Sequence, residues 1–208
     1  MKKKGIMVII GLALLFVVMQ MLIIVGNLPT KTSNKNLTIV TAPEQKEAME
    51  NEQFTIAEFE MPKIKGKNVA LKKTAVDNGY NDVYEAPLAL DGLTANASYW
   101  EGSSEQKEQI FTVDLEGKYN IHTMVLALNP DPIWGKRTQT FSISVSNDGE
   151  NYIELLPTSN YDFDPNTGNL VVIDNFKETK AQYVQLTFTG NTGATAGQIA
   201  ELEVYSND

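Results

Sequence analysis

From residue 68 to the end of the chain, short apolar segments recur between turn residues. Residues 140–146 alternate apolar and polar side chains, as a strand with one buried face does, whereas residues 123–128 form the continuous apolar run of a strand covered on both faces. The remaining predicted strands are residues 110–115, 152–155, 170–173, 183–188 and 202–205. Strands at this spacing without a convincing helix predict an all-β domain, a sandwich or jelly roll.

The N-terminal segment has a different character. Three lysines at positions 2–4 precede an uncharged, mostly apolar run at residues 6–25, which is long enough to span a bilayer as a helix. The lysines favour the cytoplasmic side, so residues 1–28 are predicted to be a signal-anchor with the rest of the chain outside the cytoplasm. Cleavage of a signal peptide, followed by secretion, is the alternative. The absence of cysteine excludes a lipoprotein anchor.

Residues 29–67 are polar and carry charges of both signs, without a clear apolar face. We interpret them as a linker or stalk that holds the domain, residues 68–208, away from the membrane. A stalk that binds a partner is the alternative.

Composition narrows the chemistry. There is no cysteine and one histidine, His122, so a thiolate or histidine metal cluster and a Ser-His-Asp triad are disfavoured, and His122 is expected to be a structural strand residue. The first 28 residues hold three lysines and no acid, so the other residues carry 14 basic and 26 acidic side chains, a net charge of −12. Such a surface repels nucleic acid and anionic lipid, and a neutral sugar or a cation suits it better.

Eight local motifs follow one another in a fixed order along the domain. They are residues 68–71, 89–92, 99–101, 111–115, 137–143, 146–149, 182–186 and 200–205. Together they resemble the discoidin, or coagulation factor 5/8 type C, domain, whose galactose-binding-like fold is shared with many bacterial carbohydrate-binding modules. The resemblance implies a jelly-roll β-sandwich that binds and does not catalyse. We therefore expect a non-catalytic module that binds carbohydrate or a cell-wall glycan at a bacterial cell surface, with a surface protein as the alternative partner.

The resemblance also implies one structural calcium ion. Its expected ligands, placed by motif, are the Leu88 carbonyl, Asp91, Ser98 and Glu201, which are oxygen donors of the kind that calcium prefers. The loop that follows Asp91 is longer than the family pattern, so Thr94 is an alternative hydroxyl ligand. The competing interpretation is an Asx-turn at Asp91 and a surface ion pair at Glu201.

Trp134 is the strongest candidate for contact with a ligand. It lies in an irregular loop with two prolines and a glycine, where an indole can cover the apolar face of a sugar ring. Asn129, Asp131 or Arg137 would then bond to hydroxyl groups. The alternatives are that Trp134 closes the end of the sandwich and that Arg137 makes an internal ion pair.

Two further polar loops are candidates for the binding surface. They are residues 80–85, which contain Tyr80, and residues 191–198, which contain Asn191, and both are flanked by glycine, as binding loops often are. Trp100 could also be an aromatic platform, but the family pattern places this tryptophan in the core. No glycosidase, phosphate-loop or nucleophile-elbow motif is present.

Overall fold

A computed structural model describes residues 62–95 and 97–208. The strands are β1 (Lys67–Asn68), β2 (Thr74–Asp77), β3 (Trp100–Glu101), β4 (Gln109–Ala127), β5 (Arg137–Ser146), β6 (Ile153–Phe163), β7 (Leu170–Ile173), β8 (Thr179–Asn191), β9 (Gln198–Ile199) and β10 (Glu201–Ser206). Three short 3₁₀ helices span Ala86–Leu90, Pro132–Trp134 and Pro165–Thr167. The prediction of an all-β sandwich is confirmed.

The predicted signal-anchor and most of the predicted stalk lie outside the described residues. None of the helices in the described ranges is both long and apolar enough to cross a membrane. The first described strand, β1, begins at Lys67 and pairs with the end of β10, one residue before the predicted start of the domain.

The strands form two layers that share β4. One layer runs β2-β4-β8-β5-β6 and the other runs β1-β10-β4-β7, with all pairs antiparallel. The first half of β4 pairs with β8, and its second half pairs with β10 and β7. The register shifts between Asp114 and Tyr119, where Glu116 has a left-handed φ of 58°. This irregularity lets one strand serve both layers.

Aromatic side chains fill the space between the layers. Trp100 is fully buried, and its ring lies 5.3 Å from that of Phe111 and 5.6 Å from that of Phe188. Its indole Nε1 donates a hydrogen bond of 3.2 Å to Asp77, so the one polar group of the buried ring has a partner. The prediction that Trp100 belongs to the core is confirmed. His122 lies in β4 beside Thr123, as expected of a strand residue.

The layers bring three loops to one end of the sandwich. The loop at residues 128–136 leads into the first residue of β5, and the loop at residues 192–197 leaves the last residue of β8. Asn191 pairs with Gln139 of β5, so these two loops lie side by side. Residues 80–85 reach them through Gly102, which pairs with Tyr80 and whose amide donates a hydrogen bond of 3.0 Å to the Gly197 carbonyl.

Candidate functional site

A shallow depression of about 420 Å³ lies among these loops. We call it the aromatic depression. It is lined by Tyr84, Ala97, Tyr99, Ile133, Trp134, Arg137, Gly193 and Gln198. It combines aromatic rings with a guanidinium and an amide, which is the mixture that binding pockets use to cover a ligand and to orient it.

Three aromatic rings pack in sequence along the depression. Tyr84 stacks on Tyr99 with ring centroids 4.1 Å apart, and Tyr99 meets Trp134 edge-on at 4.8 Å. Burial and a hydrogen bond with Tyr84 raise the pKa of Tyr99, so its hydroxyl stays protonated at neutral pH. The three rings fix one another, and they form an aromatic surface that a ligand can contact without first ordering a loose side chain.

The position of Trp134 follows from its loop. The Asp131 carboxylate accepts a hydrogen bond of 2.9 Å from the Ile133 amide, which starts the 3₁₀ turn Pro132–Trp134. Asn129 is buried, and its side chain accepts a bond of 2.9 Å from the Asp131 amide. The prolines, Asn129 and Asp131 therefore hold the indole at the edge of the sandwich, where it is partly buried against the core.

Arg137 forms part of a polar chain that joins all three loops. Its Nη1 donates to the Gln198 side-chain oxygen at 2.6 Å, and the Gln198 amide nitrogen donates to Glu101 at 2.6 Å. Asn81 donates to the other oxygen of Glu101 at 2.8 Å. The Arg137 guanidinium lies 4.9 Å from the centre of the Trp134 ring. Burial lowers the pKa of Arg137. A guanidinium nevertheless stays protonated in proteins, so Arg137 carries its positive charge.

The third loop is held by Asn191. Its side-chain nitrogen donates to the Ala196 carbonyl at 2.8 Å, and its oxygen accepts from the Gly193 amide at 2.9 Å. Gly193 then packs against Arg137 so closely that a Cβ built there would lie 2.7 Å from the arginine Nε. Only a residue without a side chain fits at this position while Arg137 keeps its place.

Of the predicted ligand-contacting residues, Trp134 and Arg137 line the aromatic depression. Asn129, Asp131 and Asn191 shape its loops through the hydrogen bonds given above. Tyr80 is exposed on the surface and does not line the depression. For all six residues contact with a ligand is untested, and the position of Tyr80 outside the lining makes contact in the aromatic depression unexpected for that residue.

The depression also contains three residues that are not among the individual predictions from the sequence: Tyr84, Tyr99 and Gln198. Tyr84 lies in the loop that was chosen for Tyr80, four residues further on. Tyr99 directly precedes the buried Trp100, so the alternation of a strand would have directed it away from the core. Gln198 is the last residue of the candidate loop at residues 191–198, in which Asn191 is the individual prediction.

A second constellation lies beside Trp100. The Ser98 hydroxyl donates a hydrogen bond to the Asp91 carboxylate, and the amide of Gly92 donates to Glu201 Oε2 at 3.0 Å. We call this the Asp91–Glu201 site. Leu88 belongs to the 3₁₀ helix Ala86–Leu90 that ends at Asp91, and Thr94 is partly buried in the following loop. The structure thus brings together three of the predicted calcium ligands, Asp91, Ser98 and Glu201.

Glu201 bears on whether this site fits a cation. Its side chain is 3% exposed, and its Oε1 is buried without a hydrogen-bond partner. Burial, together with the charges of Asp91 and Glu203, raises its pKa to about 8 despite the bond from Gly92. An orphaned carboxylate oxygen next to a second carboxylate and a hydroxyl fits an oxygen-binding cation. Among residues 62–95 and 97–208, no group of three or more acidic, His or Cys side chains could hold a metal alone, so carbonyl oxygens would have to complete the set.

A larger cleft of about 540 Å³ lies near the opposite end of β5, around Phe176 and Asp148. Asp148 accepts hydrogen bonds from Ser146, Glu150 and Asn151, which close the turn between β5 and β6. These bonds lower the pKa of Asp148. Its carboxylate is occupied by the turn, so this cleft offers less free polar chemistry than the aromatic depression.

The fold and the depression define the class of protein: a β-sandwich domain whose end loops surround a small aromatic depression. The sequence profile of the F5/8 type C domain family matches residues 72–202. This match covers more than half of the chain, and the chain belongs to that family. No curated protein sequence matches it.

Solved structures show the same fold. Chitosan-binding module 1, derived from a chitosanase/glucanase from Paenibacillus sp. IK-5, matches with a TM-score of 0.53 and 24% identity over 67% of this chain and 99% of that one. CpGH89CBM32-5 from Clostridium perfringens, in complex with GalNAc-β-1,3-galactose, matches with a TM-score of 0.55 and 22% identity over 65% and 96%. The CBM32 of AlyQ, in complex with 4,5-unsaturated mannuronic acid, matches with a TM-score of 0.52 and 22% identity over 64% and 93%.

Proposed function

We propose that the domain is a non-catalytic module that binds carbohydrate in the aromatic depression. The observation that carries this proposal is the packed set of Tyr84, Tyr99 and Trp134 beside the Arg137 and Gln198 side chains. Sugars present apolar C–H faces and a rim of hydroxyl groups, so they need flat aromatic surface and fixed donors and acceptors together. The aromatic depression offers both.

The similar modules support this class of ligand. One is a chitosan-binding module, one is in complex with GalNAc-β-1,3-galactose, and one is in complex with 4,5-unsaturated mannuronic acid. These ligands differ from one another in their sugars and in their charge, so they support carbohydrate as a class and leave the individual sugar open.

We propose in addition that the Asp91–Glu201 site holds a structural calcium ion. Asp91, Ser98 and Glu201 would be its side-chain ligands, with carbonyl oxygens such as that of Leu88 completing the shell. The orphaned Glu201 oxygen supports this, because a cation would compensate a carboxylate that burial otherwise penalises. The ion would join the loop before Trp100 to β10.

We propose that the module works outside the cytoplasm and is anchored by residues 1–28. The triple lysine and the apolar run at residues 6–25 support an anchor with its N-terminus inside. Secretion after cleavage is the alternative. N-terminal sequencing of the native protein distinguishes the two, since a start after Gly26 would overturn the anchor.

A surface protein is the second candidate partner, because apolar side chains stand beside the depression. Ile133 is 87% exposed, and Val83 is 65% exposed on the neighbouring loop. Exposed aliphatic residues around aromatic rings are typical of protein contacts. A glycan bound only to the aromatic rings would make no contact with these two side chains.

A glycan array with the full chain tests the main proposal, with two tyrosine variants from one loop. Tyr84→Ala removes a ring of the aromatic depression, whereas Tyr80→Ala removes an exposed ring that does not line it. We expect the wild-type chain and Tyr80→Ala to bind the same glycans, and Tyr84→Ala to lose them. Failure of the wild type to bind any glycan would overturn the proposal, and a surface protein would then be the remaining candidate partner.

A further inference from the structure

The charge on Arg137 has no direct counterpart in the described part of the chain. Among the described residues Arg137 takes part in no ion pair, unlike Lys73, which pairs with Glu116, and Lys136, which pairs with Asp164. Only 7% of Arg137 is exposed, so water compensates its charge poorly, and burial lowers its pKa. A buried guanidinium normally has a carboxylate or phosphate partner. Here the partner within hydrogen-bond distance is the neutral side chain of Gln198.

Gln198 keeps the nearest carboxylate one side chain away from Arg137. Glu101 can only accept, so it holds the nitrogen end of the Gln198 amide, and the oxygen end is directed to Arg137. Asn81 and Gln139 fix this arrangement further, because Asn81 donates to Glu101 and Gln139 binds the Gln198 backbone. The amide therefore cannot flip, and Glu101 cannot neutralise Arg137 by direct contact.

The guanidinium retains hydrogen-bonding capacity. Two of its N–H groups have acceptors among the described residues. The Nε–H donates to the Gly135 carbonyl at 3.5 Å, and one N–H of Nη1 donates to Gln198. A guanidinium carries five N–H groups, so its Nη2 end remains to donate. Arg137 lines the aromatic depression next to the Trp134 ring, so a ligand that covers the rings also reaches this cation.

We infer that the aromatic depression selects acidic sugars, with Arg137 receiving the anionic group and with Gln198 and Glu101 as positioning residues that keep the guanidinium free for it. The anionic group is the carboxylate of a uronic acid or the sulfate of a sulfated sugar, since both present the paired oxygens that a guanidinium binds. This inference rests on the proposed carbohydrate-binding function and narrows its ligand class.

The negative net charge of the chain is compatible with a preference for acidic sugars, because that preference depends on direct contact with Arg137. The overall charge is −9, and on that basis a neutral sugar suits the surface better. Charges on the surface are screened over roughly 8 Å at physiological salt, however, whereas a half-enclosed contact with Arg137 is screened much less. The acidic surface slows the approach of an anionic polymer, while Arg137 determines which sugar stays bound.

The ligand test uses matched polymers on the full chain. Polygalacturonate, alginate and hyaluronan are each compared with their carboxyl-methylated, neutral forms, and a sulfated galactan is compared with the desulfated polymer. We expect at least one acidic polymer to bind at least about tenfold more tightly than its neutral form, as one charge-assisted bidentate contact provides. Preference among the acidic polymers distinguishes carboxylate from sulfate.

The variant test moves the carboxylate without changing the net charge. The double variant Glu101→Gln with Gln198→Glu places a carboxylate directly against Arg137, and the single variant Glu101→Gln removes the carboxylate from the network. We expect the preference for the acidic polymer over its neutral form to fall at least about tenfold in the double variant and to rise in the single variant. A merely structural role for these residues would change both polymers alike, and melting temperatures show whether each variant folds.

The outcomes separate the two proposals. Equal or tighter binding of the neutral polymers by the wild type overturns the acidic-sugar inference and leaves carbohydrate binding intact. Binding of no polymer of either kind overturns both. If the swap does not fold, the wild-type comparison and the single variant Glu101→Gln still decide the inference.

Discussion

The two tryptophans of this chain lie in regions that are held together in different ways. Trp100 is enclosed between the layers by Phe111 and Phe188, so its position follows from the packing of the whole sandwich. Trp134 is partly buried at the end of the sandwich, and its position follows from one loop and two neighbours, Tyr99 and Arg137. The comparison teaches that substitutions in the core destabilise the fold. Residues in the end loops, in contrast, can change the chemistry of the depression while the sandwich stays folded.

The largest expected effect is at Trp100. Replacing it with alanine removes a fully buried indole that packs against Phe111 and Phe188 and bonds to Asp77, so Trp100→Ala should lower the free energy of unfolding by about 3–5 kcal/mol. Chemical denaturation measures this, with Trp100→Phe as the milder control. A loss below about 1 kcal/mol would contradict the assignment of Trp100 to the core.

The next effect concerns Glu201, the first residue of β10, which accepts a hydrogen bond from Gly92 in the loop before Trp100. Burial raises the pKa of Glu201 to about 8 from an ordinary value of 4.5, so between these values the folded state holds a proton that the unfolded state has lost. In the presence of chelator, stability should therefore fall as the pH rises from about 4.5 to about 8, by at most about 1.4 kcal/mol per pH unit. Denaturation at several pH values measures the slope.

Calcium and a neutral variant sharpen this prediction. A bound cation favours the ionised carboxylate, so calcium should remove the decline and should add about 2.7 kcal/mol at a hundredfold excess over its Kd. Glu201→Gln cannot titrate and should flatten the pH dependence in chelator while losing the response to calcium. An identical melting curve with and without chelator at pH 8 would contradict the proposed calcium site.

At the loop end, Gly193 gives an intermediate effect. A Cβ at this position would lie 2.7 Å from the Arg137 Nε, so Gly193→Ala should displace the guanidinium and weaken ligand binding by about 1.5–3 kcal/mol, as loss of a charged hydrogen bond does. Gly190→Ala is the matched control, because its Cβ would make an ordinary contact of 3.4 Å with Thr140. Equal affinity of the two variants would show that Arg137 is not part of the binding surface.

The smallest expected effect is at Ile133. Its side chain is exposed, so Ile133→Ser should change the free energy of unfolding by less than about 0.5 kcal/mol. For a glycan held by the aromatic rings and Arg137, affinity should change little. Loss of a protein partner in a pull-down, with glycan binding retained or absent, would instead favour a surface protein as the ligand of the domain.

Much of the fold could be predicted because buried strands leave a periodic pattern. The alternation at residues 140–146 lies within β5, and the apolar segment at residues 170–173 is β7. The sequence indicated separate strands at residues 110–115 and 123–128, whereas the structure has one strand, β4, that bends between the layers. Periodicity identifies which faces are buried, and it does not show that two apolar segments belong to the same strand.

The site was less predictable because it depends on contacts between loops. Trp134 and Arg137 could be chosen from residue type and from their place in a proline-rich loop. Gln198 and Glu101 lie 97 residues apart and matter through one hydrogen bond, which no local pattern reveals. The short strands β3 and β9 that bring them together were also missed, since two residues are too few for a period.

Trp134→Ala, assayed on the full chain for both stability and glycan binding, tests the central claim most directly. If the indole is part of the binding surface, the variant should lose affinity for glycans that the wild type binds in the micromolar to millimolar range, and its free energy of unfolding should fall by less than about 2 kcal/mol, the order of one edge-on aromatic contact and a little buried area. Wild-type affinity in a folded Trp134→Ala chain would contradict the account. So would a loss of stability as large as that of Trp100→Ala, because Trp134 would then belong to the core.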